Sequence, residues 1–251
     1  TVFLVLNGPS TRLVTPGVYT VRTSRSMNGT IEASGVVVAV DAVLTASSAN
    51  FPSPVTVRNG GLLRLLGGTV SFGTNVLVEA GGRLDVDAST TVQLNGELTN
   101  LGVLRWISAN QVFNLQGAGR VENVGLWEIY QDPAFAGGSE GQVQMPVNVP
   151  VGGRLLVSTN GRVLFTAPSS LTVGGTLEIQ SGGRGRLDAS SPARDVTLLP
   201  GSTLVGTGTI QLEGSCRLVV PGDFDTTVFL VLNGPSTRLV TPGVYTVRTS
   251  R

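Results

Sequence analysis

The 251-residue chain has no histidine and no lysine; all 17 of its basic residues are arginine. Without histidine it lacks the commonest general base and the commonest metal ligand. Without lysine it can form neither a Schiff base nor the Lys–Asn isopeptide crosslinks used by some surface fibres. Arginine-only usage also points to a high-GC genome. A single cysteine, Cys216, excludes any intrachain disulfide. Charged residues make up 13 % of the chain, about half the usual share. The net charge of +1 gives no electrostatic case for nucleic acid or an anionic membrane as partner. The most apolar run, Val36 to Leu44, is broken by Asp41 and is too short to span a bilayer. The chain starts with Thr and shows no signal peptide, the expectation for a mature or internal fragment whose export signals lie outside it.

What is present is glycine, 34 residues and nearly double the usual share, in a chain that is 41 % hydrophobic. That composition excludes a disordered linker. Residues 1–25, TVFLVLNGPSTRLVTPGVYTVRTSR, recur letter for letter at 227–251, an offset of 226. Identity over that length predicts that both copies share one environment, a full period apart in a tandem array. An engineered duplication of a terminal strand pair would leave the same trace.

Helical periodicity is missing. Short alternating runs (VTV at 55–57, LLRLL at 62–66, RLDVD at 83–87, TLEI at 176–179) are bounded by Gly, Asn, Ser and Pro, a strand-and-turn pattern. Prolines such as Pro16 and Pro221 fall at strand edges, where a missing N–H costs least. One motif, apolar-x-apolar, paired glycines, then x-Leu-x-apolar, appears as VTVRNGGLLRL at 55–65, VLVEAGGRLDV at 76–86, VNVPVGGRLLV at 147–157 and LTVGGTLEI at 171–179. A second, Gly-x-Gly-x-apolar, lies at 117–121 and 206–210. Val55 to Leu63 match Val147 to Leu155 at an offset of 92, Gly82 to Val86 match Gly175 to Ile179 at 93, and Gly117 to Val121 match Gly206 to Ile210 at 89. The expected organisation is therefore one period over 1–226, comprising first coils at 1–53 and half-repeats at 54–138 and 139–226, with 227–251 opening the next period.

A rung of ~20–22 residues with short strands and glycine corners predicts an all-β parallel β-solenoid. One coil cannot bury its inward residues (Val76, Val78, Leu84, Val86), whereas stacking at ~4.8 Å satisfies the backbone and aligns like side chains. Asn59, Asn95 and Asn160 lie at comparable turns and are candidates for an asparagine ladder. One period gives about ten or eleven coils and a length on the order of 50 Å. A β-sandwich would show similar strand spacing but gives no reason for paired glycines at constant register. LTVGGTLEIQSGGRGRLDA at 171–189 and VTLLPGSTLVGTGTIQLEG at 196–214 resemble the strand repeats of bacterial autotransporter and filamentous-haemagglutinin-type β-helix proteins. The resemblance covers about 54–220 and implies a right-handed parallel β-helix at or outside a bacterial surface, without implying a ligand.

Chemistry is sparse. Asp85 with Asp87, and Asp223 with Asp225, are i, i+2 carboxylate pairs, read as outward charges on half-buried strands. They are the residues a carbohydrate-active β-helix enzyme would have to use. Two carboxylates make a poor calcium site. GTGTIQ at 206–211 lacks the third glycine of a dinucleotide loop and is a turn. No catalytic triad can be assembled, and neither metal nor cofactor is expected. Trp106 and Trp127 are expected in the core; exposed together, they would instead stack on sugar rings. Tyr130 to Met145 is the least strand-like segment and reads as a lateral excursion. Asn28-Gly-Thr is the one glycosylation sequon, and Cys216 is either a small buried hydrophobe or an interchain crosslink.

These features favour a structural, non-enzymatic component of an extracellular bacterial filament, sheath or surface fibre, its main partner being itself. The alternatives are an adhesin stalk whose glycan-binding domain lies elsewhere, a carbohydrate-active enzyme, and an engineered protein with a duplicated terminal segment.

Overall fold

The computed structural model describes residues 6–87, 89–108, 114–131, 140–166, 168–189 and 195–247. All regular structure among them is short β-strand, without a helix, and the strands pair in parallel. The chain is a parallel β-solenoid with three faces. The first face climbs from Val43–Ala46 through Leu62–Leu65, Arg83–Asp87 and Val103–Ser108 to Thr203–Gly206. The second climbs from Asn50–Phe51 through Gly68–Phe72 and Thr90–Leu94 to Thr209–Gly214 and Phe229–Asn233. The third is an 11-stranded sheet from Val18–Val21 to Arg238–Val240. Two long strands at the N-terminal end, Leu6–Val14 and Arg25–Glu32, run round the corner between the first two faces, so these faces count as a single 19-stranded sheet.

Alternation decides what goes inside. On the third face Val36, Val55, Val76, Leu98, Val121, Val147 and Leu171 stack in one inward column. On the first face the column is Leu44, Leu63, Leu84, Leu104, Trp127, Leu155 and Leu177. No single rung could bury these side chains; its neighbours above and below do so. Aromatics stack likewise: Phe51 lies 5.2 Å from Phe72 at 9°, and Trp106 meets Trp127 edge-on at 4.6 Å. A hollow between Leu65, Phe72, Leu84 and Trp106 holds about 10 Å³.

The paired glycines turn the chain from the third face to the first for two different reasons. Gly81 adopts φ +78°, a left-handed conformation that penalises a Cβ. At Gly82 a Cβ would sit 2.6 Å from the Val57 carbonyl oxygen of the rung below. Tyr130 to Met145 is not one excursion: Leu126–Gln131 and Gly141–Val143 are ladder strands and Met145 is buried, while 132–139 lie outside the described residues.

The two copies of the duplicated segment sit on different faces. In the first, Leu6 and Asn7 lie on the first face under Met27 and Asn28, Arg12–Val14 on the second under Thr30 to Glu32, and Val18–Val21 on the third. In the second, Phe229–Asn233 lie on the second face, Arg238–Val240 on the third, and Tyr245–Val247 pair with Phe224–Thr226. That last strand continues the first face, since Thr226 Oγ1 donates to the Leu204 carbonyl at 3.0 Å. Parity is kept: Leu13 and its counterpart Leu239 both pack against the core. The loop is kept too, with Gly8 at φ +141° and Gly234 at +153°, each accepting from the hydroxyl of Thr11 or Thr237. The surroundings differ. Leu6, covered by the rung above, is 8 % exposed, and Leu232, with a rung below only, is 46 % exposed.

The shorter correspondences behave similarly. Val55 and Val147 share the third face four rungs apart, and Leu84 and Leu177 share the first face four rungs apart. The third match changes face: Val121 is on the third and Ile210 on the second.

Candidate functional site

The outward side chains of the first face form an ionic column. Thr45, Arg64, Asp85, Arg105 and Glu128 are successive in-register neighbours, so charge alternates from rung to rung over four of them. Like charges at this spacing would repel; alternation makes them pair. Asp85 is 0 % exposed because arginines roof it: Arg83 Nε and Nη2 donate to its two carboxylate oxygens at 2.5 and 2.7 Å, and Arg64 lies 3.9 Å away. Arg105 pairs with Glu128 at 3.1 Å and lies 5.0 Å from the centre of the Tyr130 ring. The other faces repeat the device with Arg217 forked on Asp195, Arg120 on Glu97, and Arg186 bridging Glu140 and Glu213. A planar guanidinium fork suits this vertical pairing better than an ammonium, a physical use for arginine-only composition.

Asp85 and Asp87 both leave the outer side of their strand, as expected, but they are not a matched exposed pair. Asp85 is wholly enclosed, which sequence alternation did not reveal. Asp87 is half-buried; burial raises its carboxyl above the usual range, Arg64 opposes this, and neighbouring Asp85 adds to it. Asp223 and Asp225 are both exposed, and Asp223 Oδ1 accepts from the Val244 N–H at 2.7 Å. Among the described residues no three His, Cys, Asp or Glu side chains converge as metal ligands. An open groove of about 340 Å³ at the corner between the second and third faces is lined by Asn95, Glu97, Arg120 and Pro146. Its acid is committed: the Thr99 hydroxyl and Arg120 Nε donate to Glu97 at 2.9 and 2.8 Å and hold its carboxyl below the usual range, with burial opposing them.

The structure also places the remaining candidate residues. Trp106 and Trp127 are 1 % and 0 % exposed, so they fill the interior and provide no sugar-stacking platform. Cys216 is buried in the core, which fits the small-hydrophobe reading; a thiol in that position cannot crosslink chains while the coil is closed. Asn28 is half-buried in Arg25–Glu32 and, with its amide nitrogen turned toward them, donates to the Ser47 and Ser48 carbonyls at 3.2 Å. A glycan there would cost those bonds. Asn59, Asn95 and Asn160 fall at three different corners and do not stack on one another.

The asparagine ladder is elsewhere. Asn100 and Asn123 are in register on the third face, both fully buried. Asn100 Nδ2 donates to Asn123 Oδ1 at 2.7 Å and to the Leu126 carbonyl at 2.9 Å; Asn123 Nδ2 donates to the Arg154 carbonyl at 2.9 Å. The signal was legible as LTNLG at 98–102 and VENVG at 121–125, with Asn two residues before Gly at the same corner. Just beyond these asparagines, Leu101, Val124, Val151 and Leu199 form an exposed aliphatic ridge along the third-to-first corner, Val151 being 82 % exposed.

No family model and no curated protein matches the chain. Among solved structures it is similar to one described as a TibC-catalyzed hyper-glycosylated TibA55-350 fragment, at 14 % identity over 97 % of this chain and 100 % of that one, with a TM-score of 0.26. So loose a superposition carries no argument about this chain.

Proposed function

We propose that this chain is a structural component of an extracellular filament, sheath or surface fibre of bacterial origin, built from tandem solenoid periods and without catalytic activity. In this reading 1–226 is the period, 54–138 and 139–226 are its half-repeats, and 227–251 opens the next. The observation that carries the proposal is the duplicated segment: the described parts of both copies lie in rungs of the same solenoid, with the same loop and with Leu13 and its counterpart Leu239 both packed on the core. Continuous ladders, interior stacking and Arg–carboxylate pairs between rungs oppose bending and local opening, the mechanical requirement for such a rod. Imaging native material tests it. Regular fibres with an axial repeat on the order of 50 Å are expected, and monodisperse short particles would refute it.

The alternative is a stalk that holds a glycan-binding domain coded elsewhere. Burial of both tryptophans favours such a domain over direct sugar stacking by this segment. A full-length gene holding only solenoid periods would exclude it.

A further inference from the structure

The offset of 226 residues is not a whole number of turns. Arg12–Val14 lie on the second face in the first of the eleven rungs, and the identical Arg238–Val240 lie on the third face in the eleventh. Eleven rungs are ten steps, and the change of face adds a third of a turn. The segment therefore recurs after ten and one-third turns of about 22 residues, a rise of about 50 Å at the inter-strand spacing.

The same letters accept complementary neighbours at the two ends. Below, the segment pairs through Phe229 to Asn233 with Thr209 to Glu213, and through Arg238 to Val240 with Arg217 to Val219. Above, it pairs through Leu6 with Met27, Arg12 to Val14 with Thr30 to Glu32, and Val18–Val21 with Gly35–Val38. Strand parity is conserved, so one rung can use both edges at once. The loop threonine shows the limit of this sharing: the Thr11 hydroxyl donates to the Asn28 carbonyl of the rung above at 3.2 Å and the Thr237 hydroxyl to the Gly214 carbonyl of the rung below at 3.3 Å, so in a shared rung its one proton serves one edge at a time while the backbone ladders serve both.

We infer that the segment is a shared junction through which a second copy of this chain joins end to end, each copy raised by about 50 Å and turned by one face, 120°, relative to the last. One of the two redundant rungs yields its seat. The rod so formed repeats its orientation every third copy, and the aliphatic ridge at Leu101, Val124, Val151 and Leu199 faces three directions in succession instead of forming a continuous sticky stripe. This limits sheet-like lateral aggregation. The inference rests on the fibre reading above and adds its symmetry and joint.

Crosslinking and electron cryo-microscopy of the full chain test it. In the shared joint Arg12 of one copy takes the seat of Arg238, outward and in register with Arg217 of the copy below; if 227–251 keeps the seat, Arg238 lies beside Thr30 of the copy above. Within one chain Arg12 and Arg217 are separated by most of the rod, and so are Thr30 and Arg238. Parallel in-register neighbours lie within disulfide reach. Arg12→Cys with Arg217→Cys, or Thr30→Cys with Arg238→Cys, is expected to give a ladder of multimers on a non-reducing gel. Micrographs should show a rise of about 50 Å with a 120° turn. Rods with a rise of about 55 Å, as when both rungs are retained, or with no ladder in either variant, would overturn the shared joint and leave the fibre intact. Absence of rods altogether would overturn the fibre reading itself.

Discussion

Replacing Asn123 by valine tests whether the buried asparagine pair stabilises the rod or is merely tolerated. The third-face column offers valine at Val57 and Val78 below the pair, so Asn123→Val fits sterically and isolates the polar contribution. Three bonds are lost: the one accepted from Asn100 and those donated to the carbonyls of Arg154 at 2.9 Å and Gly125 at 3.3 Å. At ~1 kcal/mol net per bond, the loss is about 3 kcal/mol. An Asn100 N–H left facing an aliphatic group adds ~1–3 kcal/mol, and burying the valine methyls returns ~1–2 kcal/mol. The expected net cost is about 3 kcal/mol, roughly a hundredfold in a local opening constant. Hydrogen exchange suits a repeat structure that need not unfold as one unit. Protected amides of Val103–Ser108 and Leu126–Gln131 should exchange about a hundred times faster. The double variant Asn100→Val with Asn123→Val restores an aliphatic column, and its cost should fall short of the two single costs combined by ~1–2 kcal/mol. A single-variant cost below ~0.5 kcal/mol, or strict additivity, would show that the pair is not a cooperative ladder.

Three further outcomes follow from the geometry. The Cys216 thiol should react with a disulfide reagent only after denaturant opens the coil; fast labelling of the native protein would contradict its burial. Gly82→Ala should cost ~1–3 kcal/mol by crowding the Val57 carbonyl, measured by chemical denaturation; an unchanged midpoint would show that the corner relaxes freely. Because burial raises the Asp87 carboxyl, the folded state binds its proton more readily than the unfolded chain, and its contribution to stability falls as pH rises above the ordinary carboxylate range. Asp87→Asn should therefore melt above the parent at neutral pH and match it near ~pH 3; the opposite trend would mean that Asp87 is stabilised by its arginine neighbour.

Much of this architecture is local and was legible in the letters. Alternation at Val76, Val78, Leu84 and Val86 names inward residues, and the pairs at Gly60–Gly61, Gly81–Gly82 and Gly152–Gly153 mark corners where φ and backbone clearance forbid a side chain. The rung length near twenty-two residues and a stack of ten or eleven coils follow from their spacing. Burial of Asp85 was hidden because its enclosure comes from Arg64 and Arg83, and only the stacking register shows that Arg64 lies over the carboxylate. The exposed ridge likewise joins residues twenty or more positions apart.

Local alternation and paired glycines set the rung, its inward residues and its corners, and the letters alone show the recurrence of one segment after 226 residues. The face that each strand occupies emerges only once the coils are stacked. All three faces use the same short alternating strands, so nothing local distinguishes them; face identity accumulates from the lengths of every preceding coil. That is why Val121 and Ile210, matched by motif, lie on different faces, and why Arg12–Val14 return as Arg238–Val240 one-third of a turn further on.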